Sequence, residues 1–139
     1  MGCHGAAIVG SEELKKYLIN FSRSFIYTTA MPEHSLLSIK AAYQLLNKTT
    51  EIEKLRSNIS YFNTKTNSSS NFIQSESAMH CKLVAGNKQV QEAEEKLYQL
   101  DVFAKSIKSP TVKEGQERLR ICLHSFNSKK EIDLLLSVI

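Results

Sequence analysis

The chain has 139 residues, 42% of them hydrophobic and 23% charged, an ordinary globular mix that excludes a disordered or fibrous chain and allows one domain, or a small domain plus part of another. The net charge of +4 comes from 18 basic and 14 acidic residues spread along the chain, and with only Lys15-Lys16 and Lys129-Lys130 as basic doublets no concentrated arm points to nucleic acid. No apolar run approaches the roughly 20 residues of a membrane span, residues 1–10 lack the pattern of a secretory signal, and Cys3, Cys81 and Cys122 fit a reducing cytoplasm better than a disulfide framework.

In chain order, Ala6-Ala7-Ile8-Val9 reads as a short strand, and Gly10 with Ser11 interrupts it. Ser11 is placed to cap a helix with Leu14, Tyr17, Leu18 and Phe21 at i, i+3, i+4 and i+7. Ser24 to Thr29 is β-branched and aromatic and reads as extended. Pro32 suits the first turn of a helix whose stripe is Leu36, Ile39, Tyr43 and Leu46. A second stripe, Ile52, Leu55, Ile59 and Phe62, has another phase, and the poor helix formers Asn47-Lys48-Thr49-Thr50 between them predict a break and a domain boundary. Residues 67–71 form a polar loop.

Beyond Ser77 the pattern is compact. Strands are predicted over 78–85, 102–107 and 118–124, with a helix after Gly86-Asn87 that turns Val90, Ala93, Leu97 and Leu100 inward. Ser128 and Glu131 make a capping box for a last helix whose core face is Ile132, Leu135, Leu136 and Ile139. The expectation is an α+β domain: a three-stranded antiparallel sheet covered by helices on one face. The front of the chain cannot close a core of its own and looks like the end of a larger domain.

The chemistry is sparse. Cys3-His4, His80-Cys81 and Cys122-x-His124 are Cys/His pairs, but strand neighbours point to opposite faces and no CxxC spacing occurs, so no metal site is expected. No nucleophile elbow frames a serine, and Gly2 and Gly5 taken alone are a weak phosphate signal. Arg118 and Arg120 leave one face of a strand whose other face is Leu119, Ile121 and Leu123. That is either a solvated face or a rigidly held guanidinium that forks a carboxylate.

Two segments together are similar to the α-oxoamine synthases, pyridoxal-phosphate enzymes of the aspartate-aminotransferase fold. The first is Gly2-Cys3-His4-Gly5-Ala6-Ala7 followed by Tyr17 to Arg23 and Phe25 to Pro32; the second is Ser109-Pro110-Thr111-Val112 followed by Gly115 to Ile121. Within the family the wording resembles most the 8-amino-7-oxononanoate synthases of biotin synthesis. The resemblance implies a homodimeric, cytoplasmic C-acyltransferase that condenses an amino acid (L-alanine) with an acyl thioester (pimeloyl) and releases CO2.

By position, it implies that Arg120 holds the amino-acid carboxylate, that Thr111 lies in the loop at the active-site mouth, and that Thr28 and Thr29 stand near the cofactor phosphate of the neighbouring subunit. Lys108 stands where the biotin-pathway enzymes often have arginine, and Glu33 where a second proline is usual. Matching the glycines to Gly2 and Gly5 puts the Schiff-base lysine just before Met1, and none of the 14 lysines occupies its place. The expectation is therefore a C-terminal fragment, inactive alone and not itself binding the cofactor. Residues 1–48 would end the large cofactor domain and 49–139 would form the small domain. The alternative is a stand-alone non-catalytic interaction or dimerisation module built on the small domain.

Overall fold

The structure, a computed structural model, describes residues 3–46 and 48–139; Gly2 and Asn47 lie outside them. The chain divides into two units, Met1–Thr49 and Thr50–Ile139.

In the first unit, residues 3–10 have no regular secondary structure, so Ala6 to Val9 is not a strand. None of the described strands belongs to this unit, and a strand needs a neighbour to take up its backbone groups. Helix α1 (Glu12–Phe21) starts as expected, with Ser11 Oγ accepting from the Leu14 N–H at 3.3 Å. The expected extended segment after it is corrected to a short helix, α2 (Arg23–Ile26). Its β-branched and aromatic residues find no partner strand; instead the Ile26 and Tyr27 N–H groups return to the Ser22 and Arg23 carbonyls at 2.9 and 3.1 Å. Helix α3 (Glu33–Leu46) follows Pro32, whose carbonyl accepts from Ser35 and Leu36. No described residue of these three helices is buried. Val9 and Tyr27 are 92% and 80% exposed, so this unit presents apolar surface rather than enclosing it.

The second unit has a core. Helix α4 (Glu51–Thr66) turns Leu55, Ile59 and Phe62 inward. The sheet has four strands rather than three: β1 (Phe72–Ile73), β2 (Met79–Leu83), β3 (Lys105–Ile107) and β4 (Arg118–Cys122), all antiparallel in the order β1-β2-β4-β3. At two residues β1 is too short to show an alternation of period two, which hides it in sequence. It is fixed by Phe72, which meets Phe62 edge-on with ring centroids 5.7 Å apart. The other strands are shorter than expected; the Val102 N–H, for instance, bonds the Leu97 carbonyl and belongs to the turn after helix α5 (Asn87–Tyr98). Helix α6 (Lys129–Val138) opens with the predicted Ser128–Glu131 capping box.

Strand β4 lies inside the sheet and carries the pattern that sorts the domain. Leu119 and Ile121 are buried with Phe62, Val90, Leu97, Leu123, Ile132 and Leu135, so all three helices supply the core on one face. Arg118, Arg120 and Cys122 face the other way, which these helices leave open. Asn58 of α4 is also buried; its amide donates to the His124 and Asn127 carbonyls at 3.0 and 2.8 Å and fixes the link from β4 to α6.

His80 of β2 is also in the core, 2% exposed, its ring 4.4 Å from that of Phe62 and its Nε2 without a hydrogen-bond partner. Burial holds the imidazole below its ordinary value of 6.5. The unfolded chain therefore takes up a proton near that value while the folded chain stays neutral. Stability should be flat above it and fall as pH drops from about 6.5 toward the folded value. His80→Leu should remove that slope; thermal melts from about pH 7.5 to about pH 5.5 check it, and an unchanged slope would place its origin elsewhere.

Candidate active site

The open sheet face presents Arg120 from a strand paired on both sides. It stands opposite Cys81 of β2 and Lys105 of β3, so its backbone is held by two ladders. The two arginines of this strand differ. Arg118 Nε donates to the Gln116 carbonyl at 2.9 Å, whereas Arg120 is exposed and its guanidinium has no hydrogen bond or ion pair among the described residues. Its neighbour Lys105 is already matched, with its Nζ 2.8 Å from a Glu94 carboxylate oxygen. Burial pushes the Glu94 carboxyl up, but hydrogen bonds from Lys105 and Ser106 outweigh it and hold the group below its ordinary value. The Ser106 hydroxyl also donates to Glu94. With Lys105 paired to Glu94, the two arginines of β4 are left without an ion pair among the described residues, and of the two only Arg118 has a side-chain hydrogen bond.

Arg120 itself lines a groove of about 320 Å³, together with Glu94, Tyr98, Phe103, Lys105 and Cys122. Tyr98 and Phe103 meet edge-on in its wall, 5.4 Å between centroids. Sequence reasoning missed these residues and Glu94, since no local motif marks an exposed aromatic or a carboxylate whose partner is 11 residues away.

Thr111 lies exposed in the loop between β3 and β4. Both ends of this loop are tied to the start of α5. The Asn87 side chain accepts from the Ser109 N–H at 2.9 Å and donates to the Ser109 carbonyl at 3.2 Å. At the other end the Glu117 carboxylate, 1% exposed, accepts from the Gly86 N–H at 2.9 Å. The backbone N–H groups of Gly86, Glu117 and Gly115 hold that carboxyl below its ordinary value. Gly86 has φ of 98°, a conformation that residues with a Cβ rarely adopt, so the junction favours glycine.

Lys108 begins the same loop, and its Nζ donates to Gln91 Oε1 of α5 at 2.8 Å. Alternation along β3 puts it on the helix side, away from the face of Arg120. Thr28 and Thr29 are in the first unit, exposed after α2, and neither hydroxyl has a hydrogen-bond partner among the described residues. The structure thus places Arg120 on the open sheet face, Thr111 and Lys108 in the tethered loop, and the threonine pair in the other unit. Among the described residues no three His, Cys, Asp or Glu side chains converge on a metal position, and no helix is long and apolar enough to cross a membrane.

Residues 1–139 match the family described as aminotransferase class I and II. The chain belongs to that family. It is 33% identical, over 97% of its length, to a putative 8-amino-7-oxononanoate synthase of Methanocaldococcus jannaschii, and 34% identical, over its whole length, to the 8-amino-7-oxononanoate synthase of Emericella nidulans. It spans 36% of each of those proteins. Among solved structures, 8-amino-7-oxononanoate synthase of Francisella tularensis superposes with a TM-score of 0.71 at 27% identity, over 92% of this chain and 38% of that one. Serine palmitoyltransferase of Sphingomonas wittichii shares the fold, with a TM-score of 0.74 at 15% identity over 94% and 34% of the two chains. The mixed α/β architecture is that of part of this family's fold, and the resemblance to its 8-amino-7-oxononanoate synthases holds along the chain.

The Asn87 tether is open to test. Asn87→Ala removes both bonds to Ser109 and should speed exchange of the Ser109 amide hydrogen about 10-fold, the effect of roughly 1.4 kcal/mol of lost local protection. Amides of β4 should keep their rates. Hydrogen exchange read by NMR checks both.

Proposed function

We propose that this chain is the C-terminal part of a pyridoxal-phosphate-dependent acyltransferase that joins L-alanine to a pimeloyl thioester with loss of CO2, as in biotin synthesis. The names of the relatives support the reaction class. The observation that carries the reading is the contrast between the two arginines of β4: the Arg118 side chain is bonded to its own chain, and that of Arg120 is exposed and without a partner among the described residues, on a doubly paired strand. An arginine held in this way is suited to fork a carboxylate, its planar donors pre-set by the strand rather than by the substrate.

Pyridoxal phosphate, when bound, supplies the electron sink for bond cleavage at the amino-acid α-carbon. The chain's own residues fit part of that group. Thr28 and Thr29 offer two adjacent hydroxyls without other partners as donors to phosphate oxygens, across a homodimer interface on this reading. None of the 14 lysines stands in the family's anchoring position, so we assign that amine to a place ahead of residue 1. On the same reading residues 1–48 end the large cofactor domain and 49–139 are the small domain. The 139 residues alone neither hold the cofactor nor turn over, and the whole enzyme works in the cytoplasm. Arg120 fixes the amino-acid carboxylate, and Thr111 borders the site from a loop anchored at both ends. Lys108 reaches substrate only by leaving Gln91.

Arg120→Lys in the whole enzyme keeps the charge but loses the fork, and should raise KM for the amino acid about 10- to 100-fold, the scale of one charge-assisted hydrogen bond. Arg118→Lys should stay within about twofold, since Arg118 bonds its own chain. Equal effects at both positions would remove the assignment. For the 139-residue chain, borohydride reduction in the presence of pyridoxal phosphate should leave no stoichiometric adduct on a single lysine; trapping one would overturn the inactivity of the fragment.

A further inference from the structure

The open sheet face carries three sulfur atoms beside Arg120. Met79 of β2 stands directly opposite Cys122 of β4, and Cys81, two residues along β2, stands opposite Arg120. All three lie on the face away from the core, because the residues between them, His80 and Ile121, are buried. The Leu123 N–H bonds the Ala78 carbonyl at 2.8 Å. The neighbouring Met79–Cys122 pair is therefore of the non-hydrogen-bonded kind, in which facing side chains approach most closely. Met79 is 49% exposed, Cys122 is exposed and Cys81 half-buried, and no disulfide joins any two cysteines of the chain.

Spacing and charge decide what this triangle suits. Cys81 and Cys122 are diagonal cross-strand neighbours, about 7 Å apart in such a ladder, too far for the Cβ separation of about 4 Å that a disulfide requires. Two thiolates at that separation can be spanned by one ion with metal–sulfur bonds of about 2.3 Å. The donors are two thiols and a thioether. His80 is on the opposite face, and the His124 ring is stacked on Phe126 with centroids 4.7 Å apart. Thiolate donors alone would also take zinc, but a thioether beside them is a soft neutral donor that suits copper(I). The charge agrees: two thiolates and a monovalent cation sum to −1, which the unpaired Arg120 guanidinium balances, whereas a divalent ion would leave an excess positive charge.

We infer that Met79, Cys81 and Cys122 form a three-sulfur binding site for a soft monovalent cation of the copper(I) type. Binding is coordination without redox change: two S–H bonds are lost, two metal–thiolate bonds and one metal–thioether bond form, and two protons go to solvent. The bound ion's thiolates pair with Arg120, so occupancy and carboxylate binding at Arg120 oppose one another. The site itself does not depend on the acyltransferase reading.

The test uses the full 139-residue chain and copper(I) under anaerobic conditions, in competition with a coloured copper(I) chelator. One equivalent should bind. Cys81→Ser and Cys122→Ser should each weaken binding by about 100-fold or more, beyond the 10- to 100-fold typical of outer-shell changes at metal sites. Met79→Leu should weaken it by about 10-fold, the loss of one neutral ligand. Cys3→Ser should bind as the parent does, because Cys3 is not part of the β2–β4 ladder. X-ray absorption at the copper edge of the unmodified chain gives a check that needs no variant and should count three sulfur neighbours. Binding that survives Cys122→Ser, binding lost with Cys3→Ser, or a centre with two sulfurs only would overturn the site.

Discussion

Everything that organises the second unit depends on the two-faced strand β4. Side chains alternate along a strand, so burying Leu119 and Ile121 under α4, α5 and α6 obliges Arg118, Arg120 and Cys122 to face outward. A slip of one residue would drive two guanidinium groups into a core built of Phe62, Val90, Leu97, Ile132 and Leu135, a cost of several kcal/mol per ion. Packing and site geometry are therefore set by the same constraint. The hydrophobic face fixes the register, and the register fixes where the arginine stands.

The second constraint is the double anchorage of the loop from Lys108 to Glu117. Asn87 holds Ser109, and Glu117 holds Gly86. Both anchors meet at the N-terminal end of α5, where helix N–H groups lack partners and favour negative charge. The carboxylate of Glu117 thus satisfies a helix end and ties the loop to it at once. A loop held in this way can border a binding site without an ordering cost at the moment of binding.

The two units differ in kind. Residues 50–139 bury a continuous apolar core, while the described residues of α1 to α3 bury none and leave aromatic and aliphatic side chains in water. Exposed apolar surface of this kind commonly marks a site of contact. The chain's span of 36% of its curated relatives accords with that imbalance.

Much of the fold was legible in the residues themselves. Ser11 and Ser128 cap the helices they were expected to cap, Phe62, Val90, Leu97, Ile132 and Leu135 are inside, and the open face of β4 follows from its alternation. These features rest on hydrogen bonds or periodicities that span only a few residues, so a local pattern suffices. Tertiary structure alone decided the rest. Strand β1 exists because Phe72 has Phe62 to pack on; Ser24 to Thr29 is not extended because no strand lies beside it; Asn58 is buried because two carbonyls 66 and 69 residues away accept its protons. Which arginine is paired was likewise beyond sequence, because Arg118 and Arg120 share a face and a residue type and differ only in what the folded backbone brings within reach. Short-range periodicity determines which face a side chain takes, and only the assembled chain determines what it meets there.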